Sequence, residues 1–196
     1  CTNKKNMKNI VYYHNTNNEK ISLPFISKKG RSKKFFFFGD SLTALYRDNE
    51  SSWTLKVCDH FNATAYNWGV KGGSEQSIFY TFAKNINEER DFTFIFHTHP
   101  QRVDKFFNLQ GMPMNLTFFK KWDEMITFPC VHLYWSDFAY QFQNGKTLFC
   151  TPLDSYQDQS LVTSPQGNLH HMTFKDNLLF ADKVIESIKI MVDNKT

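Results

Sequence analysis

The chain has 196 residues, with 23 Lys and Arg against 19 Asp and Glu, a net charge of +4, and 17% aromatic residues including 21 Phe. That length suits one domain with a three-layer core. The modest positive balance, without basic residues interleaved with aromatic ones, argues against a nucleic-acid partner. No apolar run approaches the roughly 18 residues that a membrane-spanning helix needs, so no membrane span is expected.

Residues 1–10 are polar and rich in Lys and Asn, without the apolar centre of a signal peptide. Asn9 to Tyr13 and Lys20 to Phe25 read as two short strands around an Asn-rich turn. Pro24 suits a sheet edge. This predicts an N-terminal β-hairpin extension, a surface for a protein partner. Lys28-Lys29-Gly30-Arg31-Ser32-Lys33-Lys34 reads as a solvated basic linker, so the expected division is 1–34 for extension and linker and 35–196 for the main domain.

Phe35-Phe36-Phe37-Phe38 is an apolar run fit for a strand buried on both faces, closed by the turn Gly39-Asp40-Ser41. Capping a helix is the ordinary use of such a serine. A helical pattern with Trp53, Val57, Cys58 and Phe61 follows, then a strand over 64–68 that ends in Gly69-Val70-Lys71-Gly72-Gly73-Ser74. Ile78, Phe79, Phe82, Ala83 and Ile86 share one helical face. The strand Phe92 to Phe96 runs into His97-Thr98-His99-Pro100-Gln101-Arg102. After a loop over 103–116 the pattern predicts a helix to Ile126, a strand over 131–135, a turn at Asn144-Gly145 and a short strand over 147–150. A polar loop fills 151–170, and the last helix, capped by Thr173, buries Leu178, Ala181, Val184, Ile185 and Ile188. Trp68 and Trp135 read as core residues.

Cys1, Cys58, Cys130 and Cys150 form no C-x-x-C pair, and Cys58 and Cys130 sit in apolar patterns as small core residues. Cysteine usage of this kind favours a reduced, cytoplasmic setting, with secretion or a virion left open; the Lys-, Asn- and Phe-heavy composition fits an AT-rich genome such as a virus's.

Strands alternating with helices predict an α/β fold with a central parallel sheet and helices on both faces. The loops after the first three main strands then converge on one rim. Ser41, Gly72, His97, His99, Arg102, His170 and His171 are the residues there that can carry chemistry. His97 and His99 alternate at a strand end and, with His170 or His171 opposite, would make a metal site; the H-x-H pattern is weak, so no metal and no cofactor is assigned. Arg102 is the candidate for gripping an anionic part of a substrate.

In order and spacing, these segments resemble the blocks of the SGNH/GDSL hydrolase superfamily, serine esterases and lipases, over roughly residues 35 to 192. The resemblance implies a flavodoxin-like three-layer sandwich. It gives Ser41 of Gly39-Asp40-Ser41-Leu42 the role of nucleophile and His171 that of catalytic base. The oxyanion hole falls to the Ser41 and Gly72 amides and to position 99, with a carboxylic ester of a sugar, a lipid or a thiol as substrate. Two positions depart from the pattern. His99 stands where the family has Asn; losing such a donor outright costs about 10² to 10³ in rate, although an imidazole N–H can donate in its place. Asn168 stands where an Asp orients the base. In serine proteases an Asn that holds the wrong tautomer costs about 10⁴. Asn168 accepting through its carbonyl oxygen, a backbone carbonyl, or Asp154 or Asp158 would restore the orientation. The alternative expectation is a module that keeps the fold for binding or structure and has lost catalysis.

Overall fold

The computed structural model describes residues 25–26, 33–44, 52–70, 72–98, 116–134, 140–149 and 174–193. Six strands and four helices follow in the order β1 (Phe25–Ile26), β2 (Lys33–Gly39), α1 (Trp53–His60), β3 (Ala63–Gly69), α2 (Glu75–Lys84), β4 (Phe92–His97), α3 (Leu116–Met125), β5 (Cys130–Tyr134), β6 (Lys146–Phe149) and α4 (Phe174–Asp193). One sheet holds all six strands in the order β1-β3-β2-β4-β5-β6. β2 to β6 run parallel, and β1 lies antiparallel on β3 at the edge.

The four phenylalanines explain why β2 lies inside the sheet. Phe35 and Phe37 pack on one face with Trp53 and Val57 of α1 and Val184 and Ile188 of α4. Phe36 and Phe38 pack on the other with Ile78 and Phe82 of α2 and Phe119 and Trp122 of α3. A strand apolar on both sides has no water-facing side, so helices must cover it twice. Phe37 stacks on Phe94 with centroids 4.6 Å apart, and Phe38 on Trp68 at 4.9 Å. Each such ring pair contributes about 0.5–1.5 kcal/mol beyond its buried area. The three-layer α/β architecture expected from the sequence is the one observed. Cys58, Cys130 and Trp68 are core residues as expected, and neither cysteine is in a disulfide.

Boundaries shift by a residue or two. Lys33 and Lys34, read as the end of the linker, are the first residues of β2, paired with Ala63 and Thr64. The strand propagates past its apolar run because a parallel neighbour is there to accept its hydrogen bonds. The predicted hairpin lies outside the described residues except for Phe25, which belongs to the two-residue edge strand. Trp135 also lies outside them.

Leaving aside β1, the chain winds from β2 to β3 in one direction and from β4 onward in the other. The reversal puts a crevice outside the carboxyl end of β2, the usual ligand position in open α/β sheets.

Candidate active site

Gly39, Gly69 and Phe96 are neighbours across the sheet, so the chain leaves β2, β3 and β4 side by side. Ser41, Gly72 and Thr98 lie two or three residues beyond these points, on one rim. Ser41 is not the N-cap of α1, which is Ser52.

The turn carrying Ser41 is built almost entirely from buried polar bonds. The Asp40 carbonyl accepts the amides of Thr43 at 3.1 Å and Ala44 at 3.0 Å. Asp40 Oδ1 accepts the Leu42 amide at 2.9 Å, and its Oδ2 accepts the Thr98 hydroxyl at 2.8 Å. From outside the turn, the Trp53 indole N–H donates to Leu42 O at 2.9 Å and the Asn67 amide to Thr43 O at 2.9 Å. Asn67 Oδ1 in turn accepts the Gly69 amide at 2.8 Å. The amides of Leu42, Thr43 and Ala44 are thus committed, whereas Ser41 has no hydrogen-bond partner among the described residues. The residue is 7% exposed, close to the buried Asp40 and Thr43.

Two glycines shape the rim. A Cβ on Gly69 would lie 2.3 Å from the Ala44 nitrogen, so only glycine lets the end of β3 press against the turn. Gly72 has φ +68, and a Cβ there would meet nothing within 4 Å; its requirement is conformational and its surroundings are open.

His97, expected at the rim, points instead into the core. Its Nδ1 lies 2.6 Å from Glu75 Oε1 and its Nε2 lies 2.8 Å from His132 Nδ1, with 2% of the residue exposed. Both ring nitrogens are therefore occupied, which removes His97 from any H-x-H metal pair. Among the described residues no group of three or more His, Cys, Asp or Glu is arranged to hold a metal ion. His60 lies at the opposite end of α1, toward the amino edge of the sheet.

His99, Arg102, Asp154, Asp158, Asn168, His170 and His171 lie outside the described residues. The last helix, α4, is tied to α1. Asn177 Oδ1 of α4 accepts the Trp53 amide at 3.4 Å, and Phe180 packs edge-on to Trp53 with centroids 5.2 Å apart. Trp53 is the residue whose indole holds Leu42.

Sequence reading missed Asp40, Asn67, Glu75, Thr98 and His132 as supporting residues. Asn67 alone carried a signal, a polar residue between Ala65 and Gly69 on the α1-facing side of a buried strand.

No protein-family model and no curated protein sequence matches the chain. Among solved structures, the fold is similar to that of a candidate lipolytic protein of the G-D-S-L family from Desulfitobacterium hafniense DCB-2. The TM-score is 0.52 and the identity 16%, over 79% of this chain and 98% of that one. It is also similar to a family two carbohydrate esterase from Clostridium thermocellum in complex with cellohexaose. Here the TM-score is 0.55 and the identity 12%, over 85% of this chain and 66% of that one. At these identities the likeness is one of fold. No described helix is long and apolar enough to cross a membrane.

Proposed function

We propose that the chain is a serine hydrolase of the SGNH type acting on a carboxylic ester. The observation that carries this reading is the uncommitted Ser41 at the switch point of the sheet, in a turn whose following three amides are all spent on Asp40. A hydroxyl and an amide with no partner among the described residues, both on one residue, are what an acyl-transfer nucleophile with its own oxyanion donor needs.

Ser41 Oγ attacks the ester carbonyl while His171 takes its proton. The Ser41 amide, the Gly72 amide and His99 hold the negative oxygen of the tetrahedral intermediate. His171 returns the proton to the departing alcohol or thiol, and water then hydrolyses the acyl-serine. Asn168 or a neighbouring acceptor orients His171, and Arg102 binds an anionic part of the substrate. Support for His171 as base comes from α4: it begins three residues later, a reach of at most about 11 Å, and its Asn177 touches the residue that braces the Ser41 turn. His97 and His132 are unsuited to the role because each is bonded within the core. The superfamily's sugar, lipid and thiol esters are all candidates, and the carbohydrate esterase among the fold neighbours makes acetylated sugars the first class to assay. Residues 33–196 would form the hydrolase domain, with Phe25–Ile26 on its sheet edge, and the residues before them an extension contacting a protein partner.

Turnover of p-nitrophenyl acetate and labelling by a fluorophosphonate probe test the reading. Ser41→Ala is expected to lower turnover by at least about 10³-fold and to abolish labelling. Equal rates in the two proteins, or no label on wild-type Ser41, would leave a binding module that only keeps the fold.

A further inference from the structure

The α2/α3 side of the sheet contains a chain of buried polar groups that the proposed chemistry does not use. Glu75, the first residue of α2, is fully buried with His97 and His132. From Glu75 Oε1 the chain passes to His97 at 2.6 Å and to His132 at 2.8 Å, and His132 Nε2 lies 3.5 Å from Cys130 Sγ. The second carboxylate oxygen, Glu75 Oε2, accepts the Thr98 amide at 3.1 Å.

Proton accounting gives this chain a direction. Burial, and next the neighbouring His97, hold the His132 imidazole well below the usual histidine range, so at neutral pH it carries one N–H. Burial likewise pushes the Cys130 thiol up, so it keeps its hydrogen. With His97 neutral, a Glu75 carboxylate, which can only accept, puts the His97 hydrogen on Nδ1 and leaves Nε2 as an acceptor. His132 must then donate from Nδ1, and its Nε2 accepts the Cys130 S–H. In this neutral arrangement every hydrogen has one place. A group at position 75 that donates to His97 would reverse the whole chain.

The surroundings leave Glu75 as the acid in contact with it. Tyr134 of β5 stacks on His97 at 4.5 Å and donates its hydroxyl to Tyr140 O at 3.0 Å. α3 presents the rings of Phe119 and Trp122 to His97, and Phe142 stacks on His132 at 3.5 Å. Arg90, placed over Phe36 and Phe128, acts on Cys130 through its charge. Asp40 faces the chain through Thr98. At the first position of α2, Glu75 also gains from the helix dipole.

We infer that Glu75 is a positioning residue for the nucleophile turn: its carboxylate, aimed by the His97–His132–Cys130 chain, fixes Thr98, whose hydroxyl grips Asp40, which holds Leu42 beside Ser41. The functional meaning rests on the reading of Ser41 as nucleophile. The path itself is four consecutive hydrogen-bonded groups, and Thr98 directly precedes His99 in the sequence.

Nitrogen-15 NMR of the histidine rings and amide hydrogen exchange in the full chain test the inference, on wild type and Glu75→Gln. In wild type, His97 and His132 are both expected to carry hydrogen on Nδ1. In Glu75→Gln the carboxamide still accepts from Thr98 but donates to His97, so both hydrogens move to Nε2. Exchange at the Thr98 and Leu42 amides then speeds by about tenfold, since a neutral acceptor replaces a charged one, while the amides of Phe36 to Phe38 keep their protection. A wild-type hydrogen on Nε2 of either ring would overturn the inference without any variant, should Glu75→Gln fail to fold. Unchanged exchange at Thr98 and Leu42 in the variant would overturn it too. Fluorophosphonate labelling separates the two readings. A slower label in Glu75→Gln supports both, whereas an unlabelled wild type with the expected tautomers and exchange refutes the nucleophile and upholds the positioning path.

Discussion

Asn67→Ala removes the side chain that ties the end of β3 to the turn after Ser41. Three hydrogen bonds go with it: to Thr43 O at 2.9 Å, to Thr54 Oγ1 at 3.3 Å and from the Gly69 amide at 2.8 Å. Thr43 is 1% exposed, so water does not replace the lost donor, and a buried carbonyl left unpaired costs about 1–3 kcal/mol. Gly69 is only partly buried and Thr54 keeps a bond to Ser52, so these two together add about 1 kcal/mol. The expected loss is therefore about 2–4 kcal/mol, within the 5–15 kcal/mol of a typical domain, and the variant folds. For a chain of this size each kcal/mol lowers the melting temperature by about 2–4 °C, which gives about 4–16 °C in all. Urea unfolding is the assay, with the midpoint falling and the slope unchanged. A loss under about 0.5 kcal/mol, with Ser41 labelling as in wild type, would refute the claim that Asn67 holds the turn.

Other consequences follow from the same geometry. Gly69→Ala places a Cβ against the Ala44 backbone and is expected to cost upward of about 3 kcal/mol, whereas Gly72→Ala meets open space and costs about 1–2 kcal/mol from its positive φ alone; thermal melts of the two should differ in that order, and equal losses would refute it. The depressed His132 pKa gives a pH dependence. Below the ordinary histidine pKa of about 6.5 the unfolded chain binds a proton at His132 that the folded chain does not, so stability falls as pH falls, by up to about 1.4 kcal/mol per unit. Urea midpoints between pH 7 and pH 5 should show this slope in wild type and a shallower one in His132→Gln; parallel profiles would mean that His132 titrates while folded.

The elements that sequence revealed are those whose signal is local. Four adjacent phenylalanines specify a doubly covered strand whatever the rest of the chain does, and Gly39-Asp40-Ser41 marks its end. Ile78 and Phe82 fix the inner face of α2 by helical spacing alone. Glu75, His97 and His132 had no such signature, because they meet only through the pairing of β4 with β5 and the placement of the first residue of α2 beside His97. His97 was read as a rim residue since it ends a strand; the carboxylate across from it draws it inward. The remaining candidates, from His99 to His171, fall in two long stretches of sequence with no helical or strand periodicity to constrain a reading.

Because β2 to β6 all point the same way, the two rims of the sheet have different fates. The seven residues of β2 separate them by about 20 Å, and the exposed Asp59 and His60 at the end of α1 lie on the rim away from Ser41. That rim is the place to tether the protein to a support or attach a reporter while keeping the crevice unobstructed.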